Sequence, residues 1–366
     1  MRISTTYGAT SWRSRIEVAL AAFLYLAAIG SSSLEAQLRV RPVTLSGLPA
    51  SEGRHLLRSA PGGAAYVVQL EEGRAYLVDE WGEATLATEF SEKAPSISGA
   101  LEAAVGDDGK TWLFLFGVDR LRLFEDGTEI EIDAPPAFVS GIGFTRDRPT
   151  VSLANAIRDR GFRPTEPPPL VVQLNTKNEW EEMVGRTDVD YARELNRRER
   201  ANPFNQKTWL VGDRGGGLLM ALQRLYEIRE YEPGGALRWR EVIGPQVINR
   251  EPLSAETLES LEVETENLDG SPKVPVARIL ALAWGPEGEA LVLTRGGGGY
   301  VLHRHIGGRD TVERISLEDL AAESPVDMVA TYSGLMFASK SGSLRIGFVD
   351  WQSLREAKWQ TLAAAY

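Results

Sequence analysis

The chain has 366 residues, of which 43% are hydrophobic, 25% are charged and 36 are glycine, so it is long enough for one large all-β domain or two ordinary domains. Asp and Glu number 51 against 40 Lys and Arg, a formal net charge of -11, which argues against nucleic acid because its phosphates demand a basic surface. Cysteine does not occur, which excludes disulfides and thiolate metal sites.

The first 36 residues have the pattern of an export signal. Arg2, Arg13 and Arg15 precede an apolar run at 18–29, and small residues then end at Ala36. As a helix the apolar run spans about 18 Å, less than the roughly 30 Å core of a bilayer. We therefore predict a signal peptide at 1–36, a secreted or periplasmic protein, and no transmembrane segment after signal removal. An N-terminal anchor or a buried helix is the alternative.

From residue 55 onward, short strand-like runs alternate with turn residues. The clearest unit, 101–133, contains four strands, with tight turns at Gly106-Asp107-Asp108-Gly109 and Glu125-Asp126-Gly127. This pattern of four strands joined by tight turns occurs six times, at approximately 55–90, 101–133, 138–184, 208–243, 277–317 and 326–363. Because four short strands cannot bury both of their faces alone, we predict an all-β, six-bladed β-propeller of four-stranded antiparallel blades. A β-sandwich is the alternative.

Residues 37–54 precede the repeats and are predicted to form an N-terminal strand and linker. A strand within 38–45 would close the ring against the last blade, since closure protects the edges of the sheets.

Two segments carry a family resemblance. Gly285-Pro286-Glu287-Gly288, which follows an apolar strand, and the outer hairpin at 228–237 resemble six-bladed propellers of the NHL/TolB-like group. The resemblance covers roughly 55–363 and implies the fold. It implies no activity, because that group contains both enzymes and binding scaffolds.

Three insertions interrupt units three to five, at 155–169, 186–203 and 245–275. In a propeller they would all lie on the face that carries the loops between blades, and the second and third are predicted to contain short helices. Between 251 and 269 the sequence has seven acidic residues and no basic residue. The insertions either pack on each other or form the surface that binds a protein, glycan or small-molecule ligand.

Four glycines at 296–299, followed by His303 and His305, raise the question of a phosphate-binding loop. Such a loop needs a helix after it, whereas here a second strand follows, so we predict a turn between two strands. Two histidines on one strand face could bind zinc, but the remaining histidine, His55, is four units away. We predict that His303 and His305 lie on an outer strand, at the surface or in a groove.

The channel mouth is predicted from residues that enter the innermost strands. Five of them are candidate binding residues: His55, Glu102, Lys207, Arg278 and Asp327. Ser140 occupies the same position in unit three.

A calcium-dependent hydrolase, such as the lactonases that the chain distantly resembles, would need converging oxygen ligands such as Glu102 and Asp327. Lys207 and Arg278 oppose a cation there, and the three histidines lie in no recognisable nucleophile motif. We therefore predict an exported, non-catalytic binding or interaction propeller, without metal or cofactor and with no catalytic residue identified. A channel-centred lactonase- or esterase-like hydrolase using Ca²⁺, and a structural role in an envelope complex, remain as alternatives.

Overall fold

The computed structural model describes residues 37–363 apart from 52, 91–96, 118–119, 154–168, 186–206, 223–226, 243–278, 297–298, 310, 319, 321–325 and 340–343. In this part of the chain strands predominate, together with one 3-10 turn (Ile97–Gly99) and one short helix, α1 (Trp351–Glu356). None of the helices in these ranges has the length and apolar character needed to cross a membrane. The predicted signal peptide at 1–36 and almost all of the three insertions lie outside the described residues.

The first three blades are antiparallel sheets of four strands each, in which neighbours in sequence are neighbours in the sheet. Blade one has β3 (His55–Ser59), β4 (Ala65–Gln69), β5 (Arg74–Val78) and β6 (Ala84–Glu89). Blade two has β7 (Glu102–Val105), β8 (Thr111–Phe116), β9 (Arg120–Glu125) and β10 (Thr128–Ile130). Blade three has β11 (Val139–Thr145), β12 (Arg148–Leu153), β13 (Val171–Leu174) and β14 (Trp180–Val184).

The remaining blades follow the same order, with additions at the two ends of the described chain. Blade four has β15 (Thr208–Gly212), β16 (Leu218–Leu222), β17 (Glu227–Tyr231) and β18 (Leu237–Val242). Blade five has β19 (Ile279–Trp284), β20 (Ala290–Gly296), β21 (Gly299–His305) and β22 (Thr311–Glu318). Blade six has β23 (Val326–Ala330), β24 (Gly334–Ser339) and β25 (Ile346–Asp350).

The six innermost strands form a closed ring. Each contacts the innermost strand of the next blade, in the order β3, β7, β11, β15, β19 and β23, and β23 contacts β3 again. The prediction of a six-bladed β-propeller with four-stranded antiparallel blades is confirmed by this ring and by the strand pairing within each blade.

The outer strand of blade six comes from the N-terminal segment. β2 (Arg41–Val43) pairs antiparallel with β25, in the register Arg41 to Phe348, so this blade combines residues from both ends of the described chain. β1 (Gln37–Arg39) instead pairs in parallel with β22 of blade five.

The prediction that blade six continues to residue 363 differs from the structure. The Asp350 carboxylate accepts a hydrogen bond from the backbone N–H of Ser353 (2.7 Å), which caps α1 directly after β25. β26 (Gln360–Ala363) then pairs with β22 of blade five. The outer position of blade six is already filled by β2, so the C-terminal strand extends the neighbouring blade.

The glycine run lies in a hairpin, as predicted. β20 ends at Gly296, β21 begins at Gly299, and these two glycines are paired across the ladder. A strand follows the turn, which is incompatible with a loop that presents a helix N-terminus to a phosphate.

Clusters of buried apolar side chains lie between blades one and two, two and three, three and four, four and five, and six and one. Between blades one and two, Phe90 makes edge contacts with Trp112, Phe114 and Phe124, with ring centroids 5.1–5.7 Å apart. Such aromatic pairs contribute about 0.5–1.5 kcal/mol each beyond the area they bury. These apolar contacts hold the innermost strands around the channel.

Glycine allows the innermost strands of blades three and four to approach closely. A Cβ atom on Gly141 would collide with the carbonyl oxygen of Thr208, and one on Gly212 would collide with that of Phe144. Both obstacles are backbone atoms of a ring strand, so they cannot move aside without shifting a blade.

Gly212→Ala is therefore expected to lower the free energy of unfolding by about 1–3 kcal/mol, the usual cost of overpacking a core. The measurement is urea unfolding. The matched control is Gly99→Ala, where the nearest atom to the added Cβ is a Phe116 ring carbon at 3.7 Å. Equal stability of the two variants would show that β11 and β15 are not in tight contact.

Candidate functional site

The innermost strands surround a central channel with side chains from all six blades. Its cavity has a volume of about 100 Å³. The charged residues of its lining are Arg58, Glu102, Lys207 and Asp327. Pockets for drug-sized ligands have volumes of about 300–1,000 Å³, so this channel accommodates a few water molecules or one functional group of a larger molecule.

The two ends of the channel differ because all six innermost strands run in the same direction. We call the end where these strands begin the connection face, since the links between blades attach there. We call the other end the hairpin face, since the first and second strands of each blade are joined there. Glu102 begins β7 and Lys207 precedes β15, so both lie at the connection face.

Three of the five predicted binding residues line the channel, namely Glu102, Lys207 and Asp327. His55 is buried, with 3% exposure, and is not part of the lining. Desolvation lowers the pKa of His55, and the nearby Glu72 and Glu71 carboxylates partly oppose that effect. Arg278 lies outside the described residues.

Ser140, which enters the third blade, lies at the seam with blade four. Its hydroxyl is 2.9 Å from the Ser152 hydroxyl and 3.1 Å from that of Thr208. The contact with Thr208 joins blades three and four.

The dominant electrostatic feature of the channel is an ion pair between blades one and six. Arg58 Nη1 donates to Asp327 Oδ2 (2.9 Å), and the side chains are only 15% and 8% exposed. The guanidinium also donates to the carbonyl oxygens of Leu57 (2.6 Å) and Ala103 (2.5 Å). One arginine therefore links three consecutive blades, and removal of its partner would leave a buried charge unpaired.

Arg58 was not among the sequence-predicted residues, because the prediction took the first residue of each inner strand and Arg58 is the fourth residue of β3. A signal was nevertheless present. An innermost strand is covered on both faces, so a lone arginine after Leu56 and Leu57 must be paired or must face the channel.

At the connection face, a cation and an anion line the same opening. Lys207 Nζ lies 4.9 Å from the centroid of the Trp209 ring, and Trp209 Nε1 donates to the carbonyl oxygen of Leu280 (3.1 Å). Glu102 is half-buried, and its side chain makes no hydrogen bond or ion pair with the rest of the described chain. This opening therefore presents a carboxylate to solvent, together with a lysine held over an aromatic ring.

The prediction that His303 and His305 lie at the surface or in a groove is wrong. Both are buried between blades four and five, with 2% and 0% exposure. His305 Nδ1 lies 3.1 Å from a Glu241 carboxylate oxygen of the neighbouring blade. Because blade four packs over β21, the β21 residues on that side are interior. The described ranges contain no group of three or more His, Cys, Asp or Glu side chains placed to hold a metal ion.

Burial strongly disfavours a charge on His303. Desolvation lowers the pKa of His303 to about 3, and His305 and Arg314 contribute in the same direction. The ring Nε2 lies 2.9 Å from Thr294 Oγ1, while the buried Nδ1 has no hydrogen-bond partner. His303 is therefore neutral at physiological pH.

The chain is similar to several solved propellers, at low sequence identity. A streptogramin B lyase is 12% identical, with 85% of this chain and 97% of that chain covered and a TM-score of 0.43. An inactive virginiamycin B lyase from Staphylococcus aureus with quinupristin is 11% identical (85% and 99% covered, TM-score 0.46). The Myceliophteria thermophila Cps50 (Swd1) propeller domain is 14% identical (85% and 99% covered, TM-score 0.44).

No protein-family model matches the sequence. No curated protein matches it either. At these identities and TM-scores the similarities carry no argument about this chain, and the propeller assignment rests on the strand pairing and the closed ring described above.

Proposed function

We propose that this protein is an exported binding propeller that carries out no chemistry and receives a charged group of its ligand at the connection face of the channel. Glu102 and Lys207 are the proposed contacts. The observation that supports the proposal is the ion pair between Arg58 and Asp327. The buried carboxylate of Asp327 is engaged in this structural pair and is therefore not a free ligand or catalytic group.

The same pair disfavours the calcium-dependent hydrolase. That alternative assigns Glu102 and Asp327 to the metal, but Asp327 Oδ2 already accepts from Arg58 and lies 3.4 Å from the backbone nitrogen of Leu57. A divalent cation at Asp327 would lie beside a guanidinium in a poorly solvated channel, where like charges repel strongly. The donor set therefore does not fit calcium, and no hydrolytic step is assigned to it.

The charged residues of the opening favour a ligand that carries both a positive and a negative group. Glu102 would receive an ammonium or hydroxyl donor, and Lys207 would receive a carboxylate or similar acceptor, with the Trp209 ring beside it. Because the cavity is only about 100 Å³, the rest of the ligand would lie outside the channel. The predicted insertions at 155–169, 186–203 and 245–275 follow strands that end at this face, and we place the binding of a larger partner there.

The test is thermal unfolding of the protein in the presence of free amino acids, small dicarboxylates, diamines and monosaccharides. A compound at about 100 times its dissociation constant stabilises the folded state by roughly 2.7 kcal/mol, which raises the Tm by a few degrees. We expect a zwitterionic compound to raise the Tm of the wild type and not that of the Glu102→Gln, Lys207→Ala double variant.

The matched control is Glu129→Gln, which alters a carboxylate in the outer strand of blade two and should retain the shift. The proposal would be contradicted if no compound acted, or if the double variant responded like the wild type.

A further inference from the structure

At the hairpin face, one side chain crosses the axis of the propeller. Arg214 extends from the first turn of blade four, and its Nη2 donates to the hydroxyl of Tyr332 in blade six (2.6 Å). Its Nε lies 3.4 Å from the Asp107 carboxylate of blade two, and its guanidinium lies over the Tyr332 ring at 5.4 Å. Blades two, four and six alternate around the ring, so these contacts span the channel opening.

A glycine in blade one makes room for this crossing. A Cβ atom on Gly62 would collide with both the Asp107 carboxylate and the Arg214 guanidinium. The backbone that carries Arg214 is also held, because Arg146 of blade three donates to the carbonyl oxygens of Arg214 (3.2 Å) and Gly215 (2.7 Å). Turns from blades one, two, three, four and six therefore take part in one arrangement.

The channel lining ends just inside these contacts. Ala60, Pro61 and Gly212 are the lining residues nearest to the hairpin face, and Pro61 directly precedes Gly62, whereas Asp107, Arg214 and Tyr332 are not part of the lining. The cavity therefore stops at the layer that Arg214 forms. Arg214 and Tyr332 are nevertheless solvent-exposed, at 59% for the arginine side chain and 66% for the tyrosine. Exposed ionic contacts are screened and exchange readily, so this layer is able to open.

We propose that Arg214, Asp107 and Tyr332 form a gate that closes the hairpin face of the channel. The gate makes the cavity single-ended, so that a ligand group reaches it only past Glu102 and Lys207 at the connection face. This assignment of the route rests on the proposed binding function, but closure itself does not, and it can be measured without any ligand.

The lack of cysteine gives a direct test, because one introduced thiol is the only one in the protein. Ser59→Cys places a thiol in the lining just inside the gate. Its rate of modification by a bulky maleimide dye is measured alone and together with Arg214→Ala. We expect the Arg214→Ala background to raise that rate about tenfold, because thiol labelling follows access to the sulfur.

Two controls distinguish opening of the gate from a general loss of packing in the propeller. In the first, Arg309→Ala removes an exposed arginine from another turn of the hairpin face, in blade five, and should leave the labelling rate at position 59 unchanged. In the second, Glu102→Cys reports on the opposite mouth, and its rate should not respond to Arg214→Ala. Equal rates at position 59 with and without Arg214 would overturn the gate, as would a parallel increase at position 102. Neither result depends on whether the binding function is correct.

Discussion

Asp327→Ala is expected to lower the free energy of unfolding by about 3–5 kcal/mol, the usual cost of leaving a buried charge without its partner. Arg58 would keep its hydrogen bonds to the carbonyls of Leu57 and Ala103 but would lose its only ion-pair partner among the described residues. The measurement is chemical denaturation of the variant beside the wild type.

Two further variants show whether the loss comes from the pair. Arg58→Met combined with Asp327→Leu removes both charges and should recover much of the lost stability. Arg74→Ala breaks the surface pair with Glu89, whose side chains are 41% and 57% exposed, and should cost less than about 1 kcal/mol. A fully stable Asp327→Ala variant would contradict the structural role of the pair and would reopen the hydrolase alternative.

The second large effect is acid destabilisation through His303. In the unfolded chain a histidine has its ordinary pKa of 6.5, whereas burial lowers the pKa of His303 to about 3 in the folded protein. Below pH 6.5 the unfolded state therefore binds a proton that the folded state does not, and stability falls as the pH falls. One such proton changes the free energy of unfolding by about 1.4 kcal/mol per pH unit.

Urea unfolding between pH 7.5 and 5 measures this slope before most carboxylates titrate. His303→Gln cannot take up the proton, so the difference in stability between wild type and variant should shrink or reverse as the pH is lowered. Parallel pH profiles for the two proteins would show that His303 is solvated, in conflict with its 2% exposure.

The sequence was sufficient to predict the blades because their turns are local. The hairpin turns are specified by backbone conformations that neighbouring residues determine, as at Gly106 to Gly109 and Glu125 to Gly127. Six repeats of the same four-stranded unit then leave few alternatives to a ring. The pairing of β1 and β26 with β22 was not predictable in the same way. β1 pairs with residues 279 positions away (Gln37 with Ser316) and β26 with residues 48 positions away (Thr361 with Glu313), and only the packed ring determines which edge is free.

Part of the channel lining was predictable for the same reason. Glu102, Lys207 and Asp327 could be placed in the channel because each lies where an innermost strand begins. Arg58 was missed although its position within an inner strand was a signal, and Arg214 was missed because its partners lie in other blades. His303 and His305 were predicted to lie at the surface or in a groove because the sequence of blade five does not show which of its residues blade four covers.

The measurement that most directly tests the central claim is the Tm of the protein in calcium, in magnesium and in chelator. If the charged residues of the channel serve pairing and ligand binding, as proposed, calcium should raise the Tm no more than magnesium does, because the guanidinium of Arg58 already neutralises Asp327. A saturable rise that is specific for calcium, reversed by chelator and abolished by Asp327→Asn would contradict the account and identify the channel as a metal centre.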